Sequence, residues 1–213
     1  MQKFIYRLQL RMGGKCISNL MKYIVVGMAT VFVLDQVFTT FSFSSMLGLS
    51  MPAILSGQIW RLITFVFLPP SASLLFIVFA LYFYYVIGTT LENQWGSFAF
   101  NVYYFLGVIG CLISAVLTGY GTNTFLNLSL FLAFAAMFPD FQVLVFFFLP
   151  VKIKWLAYLD AAIYLIYFIR GPWLIRIQIL FSLINFFLFF GKDLFLRAKQ
   201  EIGYMKNRRQ WKN

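Results

Sequence analysis

Long apolar runs broken by short polar stretches dominate this chain. Six stand out: about Tyr23–Phe41 (interrupted by Asp35 and Gln36), Ser73–Thr89, Ser97–Leu117, Phe125–Phe138, Trp155–Ile169 and Trp173–Phe190. Such runs predict helices, because hydrocarbon offers no partner to backbone N–H and C=O groups and a helix satisfies its own. The fourth run is short. Phe141–Leu149 is also apolar, but at about 1.5 Å of rise per residue it cannot cross. Pro150 and the Lys152/Lys154 pair stop it, so it is expected to lie at the membrane interface.

Composition turns this pattern into a class. Hydrophobic residues make up 62% of the 213 and charged residues only 11%, against about a quarter in soluble domains. A soluble chain of this length could not hide so much apolar surface. The expectation is an all-α integral membrane protein, which excludes a cytosolic enzyme, a disordered tail and a nucleic-acid binder. Membrane lipids are its first partners.

Charge sets the orientation. Lys3, Arg7, Arg11, Lys15 and Lys22 precede the first span; Lys192, Arg197, Lys199, Lys206, Arg208, Arg209 and Lys212 follow the sixth. The positive-inside rule therefore puts both ends in the cytoplasm, which requires an even number of spans. Six satisfies it, with Lys152 and Lys154 inside and Arg61, Arg170 and Arg176 outside. The chain divides into a basic leader (1–22), a six-span body (23–190) and a basic tail (191–213). In the leader, Lys3, Arg7 and Arg11 recur every fourth residue while Phe4, Ile5, Leu8 and Met12 cover another side. That suits an anionic membrane surface; a cluster that only sets topology is the other reading. The first run has the basic start of a signal peptide, but Phe41–Ser44 offers no small-x-small cleavage site, so it is expected to remain as a span. The basic tail does not by itself imply RNA.

The same inventory limits the chemistry. The chain has no histidine, so it has no imidazole base and no His-ligated metal. Six carboxylates scattered along it leave little for an oxygen-ligand cation site. Cys16 and Cys111 lie in the leader and in an apolar run, and make no disulfide framework. No metal and no cofactor are expected.

Two polar strings carry more information. Between the first two spans lies a long outer connection, Thr40–Ala72, of a length that is usually functional. It holds Gly57-Gln58-Ile59-Trp60-Arg61-Leu62-Ile63-Thr64 and then Pro69-Pro70. Trp60 beside Arg61 suits the headgroup layer, an amphipathic ring next to a snorkelling guanidinium. The second string, Gly88-Thr89-Thr90-Leu91-Glu92-Asn93-Gln94-Trp95-Gly96-Ser97, ends the second span. Its Glu92 can form a salt bridge or cap the next helix. In the third span, Gly107, Gly110 and Ser114 include a small-x-x-x-small face, which lets helix backbones approach closely.

These strings, in this order, with six spans and both ends inside, resemble the rhomboid superfamily, which holds intramembrane serine proteases and inactive relatives such as the derlins. The resemblance covers roughly Ile54–Phe190 and rests on Gln58, Trp60, Arg61, Gly88, Leu91, Glu92 and Gly96. Phe148–Trp155 is similar to the segment entering the fifth span of many bacterial members. The resemblance implies a six-helix bundle with a long first outer loop, a short central fourth helix, a lateral opening between helices and a water-accessible cavity.

It also implies a Ser nucleophile at the head of the fourth span and a His base in the sixth, and neither is present. The fourth span is entered by Gly121-Thr122-Asn123-Thr124, with Asn123 or Thr124 at the nucleophile's place. An amide cannot form an acyl-enzyme, and a threonine without a base is a weak nucleophile. Phe76 and Ala80 match the family's oxyanion donors, and their side chains donate nothing. The sixth span reads Phe181-Ser182-Leu183-Ile184-Asn185 where the family has a small-residue packing string. Asp35 and Asp160 are intramembrane carboxylates and so functional candidates, but they sit at opposite depths and the Gly-x-Gly-Asp string of aspartyl proteases is absent. Hydrogen bonds within the bundle, to Tyr158, Tyr164 or Asn127, are the expected job of each. Asn123, Thr124, Asn127 and Ser129 form a polar patch expected to line the remnant cavity or to glue helices together.

The expectation is a rhomboid-like pseudoprotease that binds or scaffolds transmembrane client proteins without cleaving them, in a bacterial plasma membrane. The alternatives are a rhomboid-family protease with an unrecognised mechanism, a small transporter or lipid-handling protein, and residence in the endoplasmic reticulum membrane.

Overall fold

A computed structural model describes residues 15–38, 40–70, 73–145, 149–181 and 183–191. The readings made for the leader's Lys3, Arg7 and Arg11 and for the tail after residue 191 lie outside the described residues. Helices dominate the rest. The long ones are α1 (Leu20–Val37), α5 (Leu74–Trp95), α6 (Ser97–Thr118), α8 (Ile153–Arg170) and α9 (Trp173–Gly191), with the shorter α7 (Thr124–Met137) between. Each of the six apolar runs becomes one helix.

The ends follow from local chemistry. α5 stops at Gly96, whose φ of 82° and ψ of 152° suit glycine alone, and the chain turns at once into α6. α6 stops at Gly119, also at positive φ, with its N–H on the Ala115 carbonyl. Gly171-Pro172 separates α8 from α9, and Arg176 bonds back to the carbonyls of Ile169 and Gly171, which α8 leaves without donors.

Among the described residues, four helices are long and apolar enough to cross a membrane: α1, α5, α6 and α9. α6, with 22 residues, is about 33 Å long, matching a hydrocarbon core of about 30 Å. α8 has 18 residues but carries Lys154, Asp160 and Arg170, and α7 has only 14. The outward faces are apolar: Tyr23, Val26 and Val33 on α1, Leu75 and Val78 on α5, Ile109, Ile113 and Val116 on α6. Such a surface needs lipid around it. The chain is an all-α membrane protein.

α7 sits at the centre. Ten of its residues, from Phe125 to Ala135, are buried, and it packs against α5, α6 and α8. α1 lies on α5, where Gly88 lets the backbones close: a Cβ there would come within 2.2 Å of the Met21 side chain. Gly107 does the same for α6, with Leu126 of α7 and Asn185 of α9 against it. Gly110 faces the backbone of Phe181 in α9, so the small-residue face of α6 meets α9.

Two small sheets complete the fold. The connection between α1 and α5 folds into α2 (Phe43–Leu47), β1 (Leu49–Ser50), α3 (Met51–Leu55), α4 (Arg61–Thr64) and a 3-10 turn (Phe65–Phe67). β1 pairs antiparallel with β2 (Tyr120–Gly121), Leu49 opposite Gly121 and Ser50 opposite Tyr120. This holds the connection over the start of α7. Between α7 and α8, β3 (Gln142–Val145) and β4 (Leu149–Lys152) form a hairpin with Gln142 opposite Lys152. The segment expected at the membrane interface thus supplies β3 and the first residue of β4, and Pro150, expected to stop it, lies inside the second strand. Asp140, at the base, pairs with Lys152 and Lys154.

Candidate functional site: the head of the central helix and the polar residues around it

Asn123 and Thr124 open α7, and their surroundings decide what that end can do. Asn123 is buried, and its Nδ2 donates to the carbonyls of Leu68 (2.8 Å) and Val66 (3.2 Å). The residue at the expected nucleophile position therefore braces the 40–72 connection onto the central helix. Thr124 is exposed, and its hydroxyl shares a 2.8 Å hydrogen bond with that of Thr122. Gly121 belongs to β2, and a Cβ there would strike Leu49 and Ala115.

A narrow pocket, with room for little more than a water, opens beside this end. Cys111, Ser114, Gly121, Thr122, Gln178 and Phe181 line it. The buried Ser114 hydroxyl has no hydrogen-bond partner, and Gln178 donates to the Tyr120 carbonyl at 3.0 Å. Hydroxyls and a thiol meet here with no imidazole, carboxylate or amine in the lining to take a proton, and a hydroxyl without such a base is a poor nucleophile.

Of the polar patch expected to line a cavity or to glue helices, Asn127 and Ser129 face neighbouring helices. Ser129 is bonded through its hydroxyl and its carbonyl to the buried Tyr103 hydroxyl. Asn127 faces the Tyr84 hydroxyl across the α5–α7 contact, and its Oδ1 is buried without a donor. Asn127 and Ser129 thus serve different helix contacts, α5–α7 and α6–α7. Of the two oxyanion-donor positions taken from the resemblance, Phe76 is exposed on the outer face of α5 and Ala80 is half-buried, and the inward residues there are Ile77 and Leu81.

Arg61 departs most from expectation. It is buried, with a residual exposure of 9%, whereas Trp60 beside it is 48% exposed. Its Nη1 donates to the carbonyls of Ser45 and Gly48, both at 2.7 Å, and its Nε donates to Gln58 Oε1 at 2.7 Å. The Thr64 hydroxyl adds a bond to the Leu47 carbonyl at 3.1 Å. The guanidinium is an internal tie of the connection, because the carbonyls of Ser45 in α2 and Gly48 just after it and the Gln58 amide oxygen are within its reach. Trp60 alone keeps the exposed position, its Nε1 pointing at the Met46 carbonyl from 3.4 Å.

Asp35 also works locally. Its carboxylate accepts the N–H groups of Phe43 (2.6 Å) and Ser44 and the Ser44 hydroxyl, capping the start of α2. The expected partner within the bundle is replaced by one in the adjoining connection. Glu92 links two helix starts, with no backbone N–H of α6 among its bonds: Oε1 accepts the Ser97 hydroxyl at 2.6 Å, at the start of α6, and the Asn19 N–H at 2.7 Å, just before α1. Its Oε2 is buried without a donor, and among the described residues no cation pairs with it. Asn101 completes this clasp by bonding both the N–H and the carbonyl of Ile17. Leu91, Gly96 and Gly88 hold the same junction by burial, a glycine-only turn and close approach.

Asp160 is different. Half-buried on α8, it lies within electrostatic range of Tyr164, one turn on, and of Tyr84 on α5. Among the described residues no Lys, Arg or hydrogen-bond donor pairs with it, and Tyr158 is exposed elsewhere. No group of three metal-ligating side chains occurs among the described residues. The chain matches no known protein family and no curated protein.

Proposed function

We propose that this chain is a rhomboid-like pseudoprotease: a six-span protein of a bacterial plasma membrane, both termini cytoplasmic, that binds or scaffolds transmembrane clients without cleaving them. The observation that carries this reading is the head of α7. A short buried helix begins at a small pocket beside the connection's clasp, and the residue at its head, Asn123, is committed to the carbonyls of Val66 and Leu68. A chain with no histidine supplies no imidazole base there. Two further helices complete the six-span count: α8, which crosses with its charges near its ends and Asp160 inside, and α7, short but enclosed by its neighbours.

Client binding draws its support from α8. Of its 18 residues only Ile153 and Ala157 are buried, so most of its perimeter is open to lipid or to another helix. The test is cleavage and capture in one preparation. The purified chain in bilayers, offered a panel of single-span reporters beside an active rhomboid control, should crosslink to reporters and cleave none. Cleavage that survives repurification overturns the pseudoprotease reading. Absence of any crosslink above that of an unrelated membrane protein overturns client binding.

A further inference from the structure

α8 is held along one edge. Ile153 and Ala157 are buried and Phe125 of α7 meets the Tyr164 ring at 5.8 Å, while Leu159, Ile163, Ile166, Tyr167 and Ile169 are exposed. Asp160 sits at the border between these faces, ten residues before Arg170. That places it roughly 15 Å along the helix from that end and roughly 10 Å from Ile153, inside the crossing. A carboxylate at such depth is costly, and such residues pair with one another, with cations or with backbone groups. Asp35 and Glu92 have done so. Among the described residues, Asp160 has the neighbouring hydroxyls of Tyr164 and Tyr84 within electrostatic range and no cation paired with it.

We infer that Asp160 is a recognition residue for a transmembrane helix that carries a lysine or arginine at the matching depth and docks along the exposed side of α8. The inference rests on the client-binding reading above and names its partner's chemistry. Charge complementarity commits the site to a basic partner. That partner is another protein, because no span of this chain holds a cation at mid-depth. Lys22 and Lys154 lie at helix starts, Arg170 and Arg176 flank the α8–α9 turn, and Arg61 is enclosed by the carbonyls of its own connection. Ala161 and Ala162 are small exposed residues beside Asp160, and they allow a second helix to come close.

The experiment uses the full chain in lipid vesicles with two synthetic single-span Leu/Ala helices, identical except for one mid-depth residue, Lys or Leu, and reads association by energy transfer. The lysine helix should associate about tenfold more tightly than the leucine helix. Asp160→Asn, nearly equal in volume, should erase that preference and leave the leucine helix unchanged; Asp160→Glu should retain it. Equal association of the two helices with the unaltered chain, or a preference that persists in Asp160→Asn, overturns the role of Asp160 while client binding by other surfaces stands. If neither helix associates and no reporter crosslinks, both readings fall.

Discussion

Arg61→Ala gives the sharpest test of how the connection between α1 and α5 is built. Removing the guanidinium strips donors from the carbonyls of Ser45 and Gly48 and from the Gln58 amide, each bonded at 2.7 Å. A charge-assisted bond of this kind contributes about 1.5–3 kcal/mol. The three are not additive, water reaches the freed carbonyls from the connection's surface, and the guanidinium's own desolvation cost disappears with it. A net loss of about 2–4 kcal/mol follows. Cys111, half-buried between α6 and α9, reports unfolding by becoming reactive toward a thiol dye, provided the exposed Cys16 is first changed to Ser. In that background Arg61→Ala should lower the melting midpoint by roughly 5–12 °C. Arg61→Lys, which keeps the charge but loses the planar fork, should fall between. Trp60→Ala, with one long bond from an exposed ring, should cost about 1 kcal/mol or less. Equal midpoints for Arg61→Ala and Trp60→Ala would refute the internal-tie argument and return the pair to the headgroup layer.

Three other outcomes follow from particular contacts. Gly88→Ala should destabilise by about 2–3 kcal/mol in the same dye assay, because the new Cβ would meet Met21 at 2.2 Å, and Met21→Ala in the same chain should recover most of the loss. Asn123→Ser should restore no proteolysis of single-span reporters while losing about 1–2 kcal/mol, since the bonds to Val66 and Leu68 go with the amide. Lys152 and Lys154 beside Asp140 hold its carboxyl below the usual carboxylate value. What that pair contributes is therefore present at neutral pH and lost only as pH falls through the lowered value. Melting of the unaltered chain and of Asp140→Asn should thus run parallel between about pH 6 and 8, and a divergence there would show that another group near the hairpin titrates.

Much of this fold is legible in the sequence, because a membrane helix announces itself by length and apolarity alone. Each of the six runs appears as a helix whose ends differ by a few residues, and the punctuation at Gly96, Gly119 and Gly171-Pro172 is where the chain turns. The hairpin is not legible. Gln142–Val145 and Leu149–Lys152 lack a clean polar-apolar alternation, and Pro150, tolerated in the second strand of a two-stranded edge, reads as a stop. Arg61 is hidden for another reason. Its acceptors are backbone carbonyls of Ser45 and Gly48, and carbonyl oxygens leave no trace in residue identity. Asn123 is visible in the sequence as the residue that precedes the fourth run, yet its bond to a connection more than fifty residues away has no local signal.

The carboxylates show how that hidden backbone chemistry divides the candidate site from the scaffold. Four fall among the described residues: Asp35, Glu92, Asp140 and Asp160. Asp35 caps α2, Glu92 joins the start of α6 to the segment before α1, and Asp140 closes the hairpin on two lysines. Each of the three lies near a helix end or in a connection, where free N–H groups or ammonium groups are at hand. Asp160 is the exception, in the interior of a helix whose own N–H groups are already used. A residue there cannot be satisfied by its own backbone neighbourhood, so its partner must come from another element or another molecule. Among the described residues the groups near it are the hydroxyls of Tyr84 and Tyr164, and no cation pairs with it. The same geometry that makes Asp35 and Glu92 structural therefore leaves Asp160 as the one carboxylate among them available for recognition.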